Sequence, residues 1–249
     1  MIDPNICNSS INTGNIINLT HDIFLNEKDT KPFIFYAEGC LHTRNAFEEL
    51  IRGYCSAFKD TDNVALVLKV LNTARDSNDN SYTKNQILEM KNKLKQNNLP
   101  NIILINESLA DYEYMQLLNN IDCFVNISKW DALFSGLHHA VAMEKHIITP
   151  SYDGYSDLAN DAIAFLVNST KEGQYNSFDR FYEDGDTWFE ISPKDLKIQM
   201  IKVYNTYLNG GEGFKKKAKV KKDVKKTFEA GYIASNMLEF FLTVLREHH

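Results

Sequence analysis

Three short segments of this 249-residue sequence concentrate the residue types that hold anions, offer hydrogen-bond acceptors or move protons. The first is Glu38-Gly39-Cys40-Leu41-His42-Thr43-Arg44-Asn45, in which a guanidinium suited to paired phosphate oxygens follows a glycine. The second runs from Ser128 through Lys129, Trp130, Asp131, Ala132, Leu133, Phe134, Ser135, Gly136 and Leu137 to His138 and His139. The third is Pro150-Ser151-Tyr152-Asp153-Gly154-Tyr155, where Asp153 and Gly154 also suit a turn.

The better-known catalytic spacings are missing. No G-x-G-x-x-G follows the first apolar run and no G-x-x-x-x-G-K-[ST] occurs, which removes the usual support for a dehydrogenase or a P-loop NTPase. G-x-S-x-G is absent, as is H-E-x-x-H, and the adjacent His138 and His139 would diverge on a helix rather than share a metal. Cys7, Cys40, Cys55 and Cys123 stand far apart with no C-x-x-C pair, so reduced thiols are expected rather than a zinc knuckle or disulfide framework.

The segments gain meaning from the elements around them. Apolar runs at Phe33 to Tyr36, Val64 to Val70, Ile102 to Ile105, Cys123 to Ile127, Ile147 to Thr149 and Ile163 to Val167 read as strands buried on both faces. Between them, Phe47, Leu50, Ile51, Tyr54, Cys55 and Phe58 fall on one helical stripe, and Tyr114, Leu117, Leu118 and Ile121 repeat the pattern, with Ser108 as the expected cap. Strand-helix alternation of this kind predicts an α/β fold: a Rossmann-like, doubly wound parallel sheet followed by C-terminal helices. In such a sheet, ligands bind beyond the carboxyl ends of the strands, where all three segments fall.

Residues 1–31 are polar and Asn-rich and read as a leader or interdomain segment; 32–208 form the packed domain. Ser192-Pro193 opens a helix carrying Leu196, Met200, Val203, Tyr204 and Tyr207 inward. Residues 209–249 comprise a Lys-rich segment and a last helix, with Ile233, Met237, Phe240, Phe241, Val244 and Leu245 on one face that must cover something. The net charge of −6 argues against a nucleic-acid partner, although eight Lys crowd Lys215 to Lys226 and could meet an anionic membrane surface. No run approaches the roughly 20 apolar residues of a membrane span, and the N-terminus lacks the pattern of a secretory signal, so a cytoplasmic protein is expected.

Taken in order, these blocks resemble a known family. S-K-W-D-A-L-F-S-G-L-H-H-A-V-A-M-E-K-H-I-I-T-P, from Ser128 to Pro150, is similar to the donor-binding signature of family-4 (group 1) retaining glycosyltransferases of the GT-B fold. That signature is a Ser, then E-G-F-G, four residues, E-A-M-A and a strand entering a Gly-containing loop with an acid. F-I-F-Y-A-E-G, V-A-L-V-L-K, D-Y-E-Y-M-Q-L-L-N-N-I-D-C-F-V, Y-D-G-Y-S-D and the late Trp188-Phe189-Glu190 extend the resemblance from about Phe33 to Leu208.

The resemblance implies that this chain is the donor half alone, binding a nucleotide-diphosphate sugar for retaining transfer, with neither metal nor further cofactor. The acceptor would be held by an N-terminal domain outside this sequence, against which the last helices would pack. Asp131 stands where the first acid of the signature would meet sugar hydroxyls, and His139 where the second would hold the ribose. Gly39, His42, Arg44, Ser135 and Gly136 would line the diphosphate, with Asp153 and Gly154 nearby. Trp130 and Trp188 read as packing residues.

The sequence also departs from that pattern. Phe134 replaces a glycine of E-G-F-G, His139 replaces an acid, and Cys40 and Asn45 replace basic residues. These departures motivate an alternative from another class: an inactive pseudo-glycosyltransferase that keeps the fold to bind a partner. An epimerase or dehydrogenase is a distant third reading, since the glycine fingerprint is missing.

Overall fold

The computed structural model describes residues 31–71, 80–129, 135–152, 161, 163–173, 186–210 and 230–247. Six strands, β1 (Phe33–Cys40), β2 (Val64–Leu71), β3 (Asn101–Ile105), β4 (Cys123–Val125), β5 (His146–Pro150) and β6 (Phe165–Val167), form one sheet in the order β3-β2-β1-β4-β5-β6. Every pairing within it is parallel. The helices are α1 (Phe47–Ala57), α2 (Asn80–Asn92), α3 (Asp111–Asn120), α4 (Ser135–Ala142), α5 (Pro193–Leu208) and α6 (Ala230–Glu247). The doubly wound architecture expected from the apolar runs is the one observed.

Alternation along β1 explains the layers. Phe33, Phe35 and Ala37 enter one core with Leu50, Ile51 and Tyr54 of α1 and Leu196, Met200 and Val203 of α5. Ile34 and Tyr36 enter the other, with Leu117 and Leu118 of α3 and Leu137, Ala140 and Val141 of α4. Each of the Phe, Leu, Ile, Val and Met side chains among them contributes about 1.5–3 kcal/mol of burial, so the two faces together fix the register of the central strand.

Local signals account for some helix ends and not others. Ser192 caps α5 as its hydroxyl accepts from Asp195 N at 3.2 Å, with Pro193 in the first turn. Ser108 is not the cap of α3: the helix starts at Asp111, two residues too late for its hydroxyl to reach. There Glu113 accepts from Ala110 N at 2.8 Å instead.

Beyond β6, the chain forms an antiparallel pair that the polar composition did not announce, β7 (Ser169–Gly173) with β8 (Thr187–Ile191). Its strands carry no sustained apolar run, because it lies outside the doubly covered sheet. The apolar residues of α6 meet no cover among the described residues, and Phe240 is 65% exposed. The Lys-rich run 215–226 lies outside the described residues. Among the described residues no helix is long and apolar enough to cross a membrane.

Candidate functional site

The strand order reverses between β1 and β4, where the chain leaves β1 toward α1 on one face and β4 toward α4 on the other. That divergence opens a crevice at the carboxyl edge, the place where this topology binds ligands. The N-terminus of α4 borders it with backbone amides that have no partner inside the helix.

Glu38, near the end of β1, reaches under that helix. A Cβ at Gly136 would drive into Glu38 Oε1 and stand 2.7 Å from the Phe124 ring, so a larger residue there would force these side chains to shift. Glu38 accepts from the Tyr36 hydroxyl at 2.6 Å and from the Tyr114 hydroxyl at 3.0 Å. Burial, reinforced by the Glu38 charge, pushes both phenols above the usual tyrosine range and keeps them donors. His139 continues the chain of contacts: its Nδ1 lies 3.5 Å from the Tyr114 hydroxyl and its ring meets the Tyr114 ring edge-on.

The loop from β1 to α1 is held as a tight turn. Gly39 has φ 156°, and a Cβ there would lie 2.9 Å from Asn45 Nδ2. His42 caps the short 3₁₀ turn Thr43–Asn45, its Nδ1 accepting from Arg44 N at 3.1 Å. His42 also lines a cleft between α1 and α2 with Phe47, Arg52 and Met90. Arg44 Nε is buried without a partner among the described residues. Burial raises the pKa of the Cys40 thiol even though Arg44 and Lys69 act against it, so it stays protonated.

Lys129 ties this loop to the rest of the site. Its backbone N donates to Arg44 O at 2.8 Å and its carbonyl accepts from Phe189 N at 3.2 Å. Its ammonium, on a side chain only 4% exposed, meets Glu49 at 2.9 Å and Glu190 at 2.7 Å. Burial alone would pull this ammonium down, but hydrogen bonds to Glu190 and Glu49 outweigh it and hold the pKa above the usual lysine value. Trp188 packs beneath it, 5.1 Å from ring centre to Nζ, and donates from Nε1 to Glu190 at 2.8 Å. Tyr152 adds a further tie through its hydroxyl to Ser128 O at 2.9 Å.

Of the residues singled out from sequence, Gly39 lies near the end of β1, Arg44 in the turn after it, Gly136 and His139 on α4, and His42 among the residues that line the cleft between α1 and α2. Ser135 is the first residue of α4. Asp131, Asp153 and Gly154, with Trp130 and Phe134, lie outside the described residues. Sequence reasoning gave no role to Glu38, Tyr114, Lys69 or Lys129. Lys69 carried a usable signal, being the one charge in an otherwise apolar strand. Tyr114 carried none, because its helical stripe reads as core.

Neither a protein-family model nor a curated protein matches this sequence. Solved structures resemble its fold. A glycosyltransferase from Rickettsia africae aligns with a TM-score of 0.62 at 14% identity, over 92% of this chain and 52% of its own. Anabaena Alr3699/HepE in complex with UDP-glucose aligns at 0.59 and 13% identity, over 92% and 52%. The pneumococcal O-GlcNAc transferase GtfA, in complex with UDP and GlcNAc, aligns at 0.52 and 12%, over 87% and 36%. This chain thus spans about half the length of the first two. Strand order and structural similarity together give it the Rossmann-like fold found within glycosyltransferase chains of the GT-B type.

Proposed function

We propose that this chain is the donor-binding half of a retaining glycosyltransferase, taking a nucleotide-diphosphate sugar at the β1–β4 crevice. The observation that carries this reading is the β3-β2-β1-β4-β5-β6 order with Arg44 and the N-terminus of α4 at its switch point. UDP, named with two of the structural neighbours, is the first nucleotide to test.

In this reading the diphosphate leaves against positive charge and preorganised amides, supplied by Arg44 and the start of α4 around Ser135 and Gly136. Asp131 accepts from sugar hydroxyls and His139 faces the ribose, with Asp153 and Gly154 closing the loop beside them. Neither metal nor a cofactor beyond the sugar nucleotide takes part. Catalysis consists of positioning and charge stabilisation.

An N-terminal acceptor-binding domain completes the cleft, and the apolar face of α6 packs against it. The Lys215–Lys226 run meets an anionic membrane surface as a peripheral contact of an otherwise cytoplasmic protein. Calorimetric titration with UDP, GDP and their sugars, without metal, tests the site. Saturable binding to one base class is expected, lost in Arg44→Ala with Asp131→Ala. Unchanged binding in that double variant would overturn the assignment.

A second reading has its own observation. Glu38 places a carboxylate under Gly136, beside the amides that would receive a phosphate, which suits a pseudo-glycosyltransferase acting as a partner subunit. Glycosyl transfer by the complete protein, abolished in Asp131→Ala with folding intact, would exclude it.

A further inference from the structure

Lys69 is a buried cation that the fold itself does not use. It stands seventh in the β2 run Val64-Ala65-Leu66-Val67-Leu68-Lys69-Val70-Leu71 and is only 6% exposed. It pairs in register with Glu38 of β1 and Ile105 of β3. Its neighbours Leu68 and Val70 belong to the core under α1, so alternation puts Lys69 on the opposite face with Tyr36 and Glu38, at the carboxyl edge.

Among the described residues, Lys69 makes no hydrogen bond and no ion pair; Glu38 and Cys40 act on it only through longer-range charge. Burial lowers its pKa, with Glu38 and then Cys40 pulling the other way. Lys129 shows the contrast, since an equally buried ammonium there meets two carboxylates. An ammonium on a buried stem with no carboxylate within ion-pair distance is open to an anionic ligand, which gains a pairing that the fold has left unmet.

The missing partner is an anion. Cys40 lies within electrostatic reach of both Lys69, on the neighbouring strand, and Arg44, in the turn after β1, so both cations stand near the end of β1. Arg44 also has a buried Nε without a partner among the described residues. We propose that Lys69 is a phosphate-binding residue of the donor site, which together with Arg44 grips the diphosphate of the sugar nucleotide at the end of β1. The identity of that anion rests on the donor-site reading; the need of Lys69 for an anion does not.

The test uses the whole chain and Lys69→Met, with UDP, uridine and inorganic pyrophosphate as probes, read by calorimetry and thermal melting. Lys69→Met should weaken UDP and pyrophosphate about tenfold or more, the loss expected for one charge-assisted hydrogen bond. Uridine binding should be unchanged. Without ligand, Lys69→Met should melt at or above the wild-type temperature, because an apolar stem replaces an unpaired charge; a merely structural lysine would give a lower one. Lys69→Arg should retain anion binding and guards against a misfolded methionine variant. Equal UDP affinity in wild type and Lys69→Met would overturn the inference. If wild type ignores UDP, the donor reading falls, yet a pyrophosphate-induced rise in melting temperature that Lys69→Met loses would still uphold Lys69. No response of wild type to pyrophosphate would overturn it.

Discussion

The Tyr114 hydroxyl donates to Glu38 Oε1 at 3.0 Å, joining the first turns of α3 to the end of β1 across 76 residues of sequence. Tyr36, on the same strand, meets the other carboxylate oxygen at 2.6 Å, so a single carboxylate ties the end of β1 to one helix beside the switch point. Tyr114→Phe removes one charge-assisted donor and should cost about 1.5–3 kcal/mol, toward the lower end because the group is partly exposed. Chemical denaturation would show it as a lower midpoint with an unchanged slope; an unchanged midpoint would mean that Glu38 finds water instead.

Gly136→Ala should destabilise the chain by about 1–3 kcal/mol, because the new methyl meets both Glu38 and the Phe124 ring. Shortening the carboxylate in Gly136→Ala with Glu38→Ala should recover part of that loss. A double-mutant cycle measures the coupling, and strict additivity would show that the two residues do not compete for space.

Lys129→Met leaves Glu49 and Glu190 without their shared cation and should cost about 3 kcal/mol, the low end for breaking a buried pair since both carboxylates keep some exposure. The folded pKa of Lys129 lies above the unfolded one. Its contribution is therefore complete below the unfolded lysine value, near pH 10, and is lost as pH rises through the folded value. Melting temperatures followed into the alkaline range should fall faster for wild type than for Lys129→Met; parallel curves would refute the linkage.

Phe240 and Phe241 expose a continuous part of the apolar face of α6. A patch of this kind on an isolated domain favours association, so the chain should sediment as an oligomer at high concentration. Phe240→Ser with Phe241→Ser should return it to a monomer. A wild-type monomer throughout the concentration range would show that the face is covered by other means.

The sequence by itself determined the sheet and much of its covering. Val64 to Leu68 and Ile102 to Ile105 are apolar on both faces, as strands between two helical layers are, and the stripe from Phe47 to Phe58 gives α1 one face to bury. The Ser192-Pro193 helix start was likewise local chemistry, legible without any tertiary contact. The candidate loops were legible too, because topology puts the ligand edge after the strands.

Tertiary structure decided what those loops contain. His42, expected to line the diphosphate, also caps its own turn, since Arg44 N lies within its reach. Lys129, in a loop, and Lys69, in an apolar strand, are both buried by the fold, yet one meets two carboxylates brought from α1 and β8 and the other meets none among the described residues. Glu38 gains its place under Gly136 only when β1 and β4 lie side by side and α4 crosses their ends. Local propensity acts over a few residues, whereas charge pairing and close approach depend on segments tens of residues apart, and these the folded chain alone brings together.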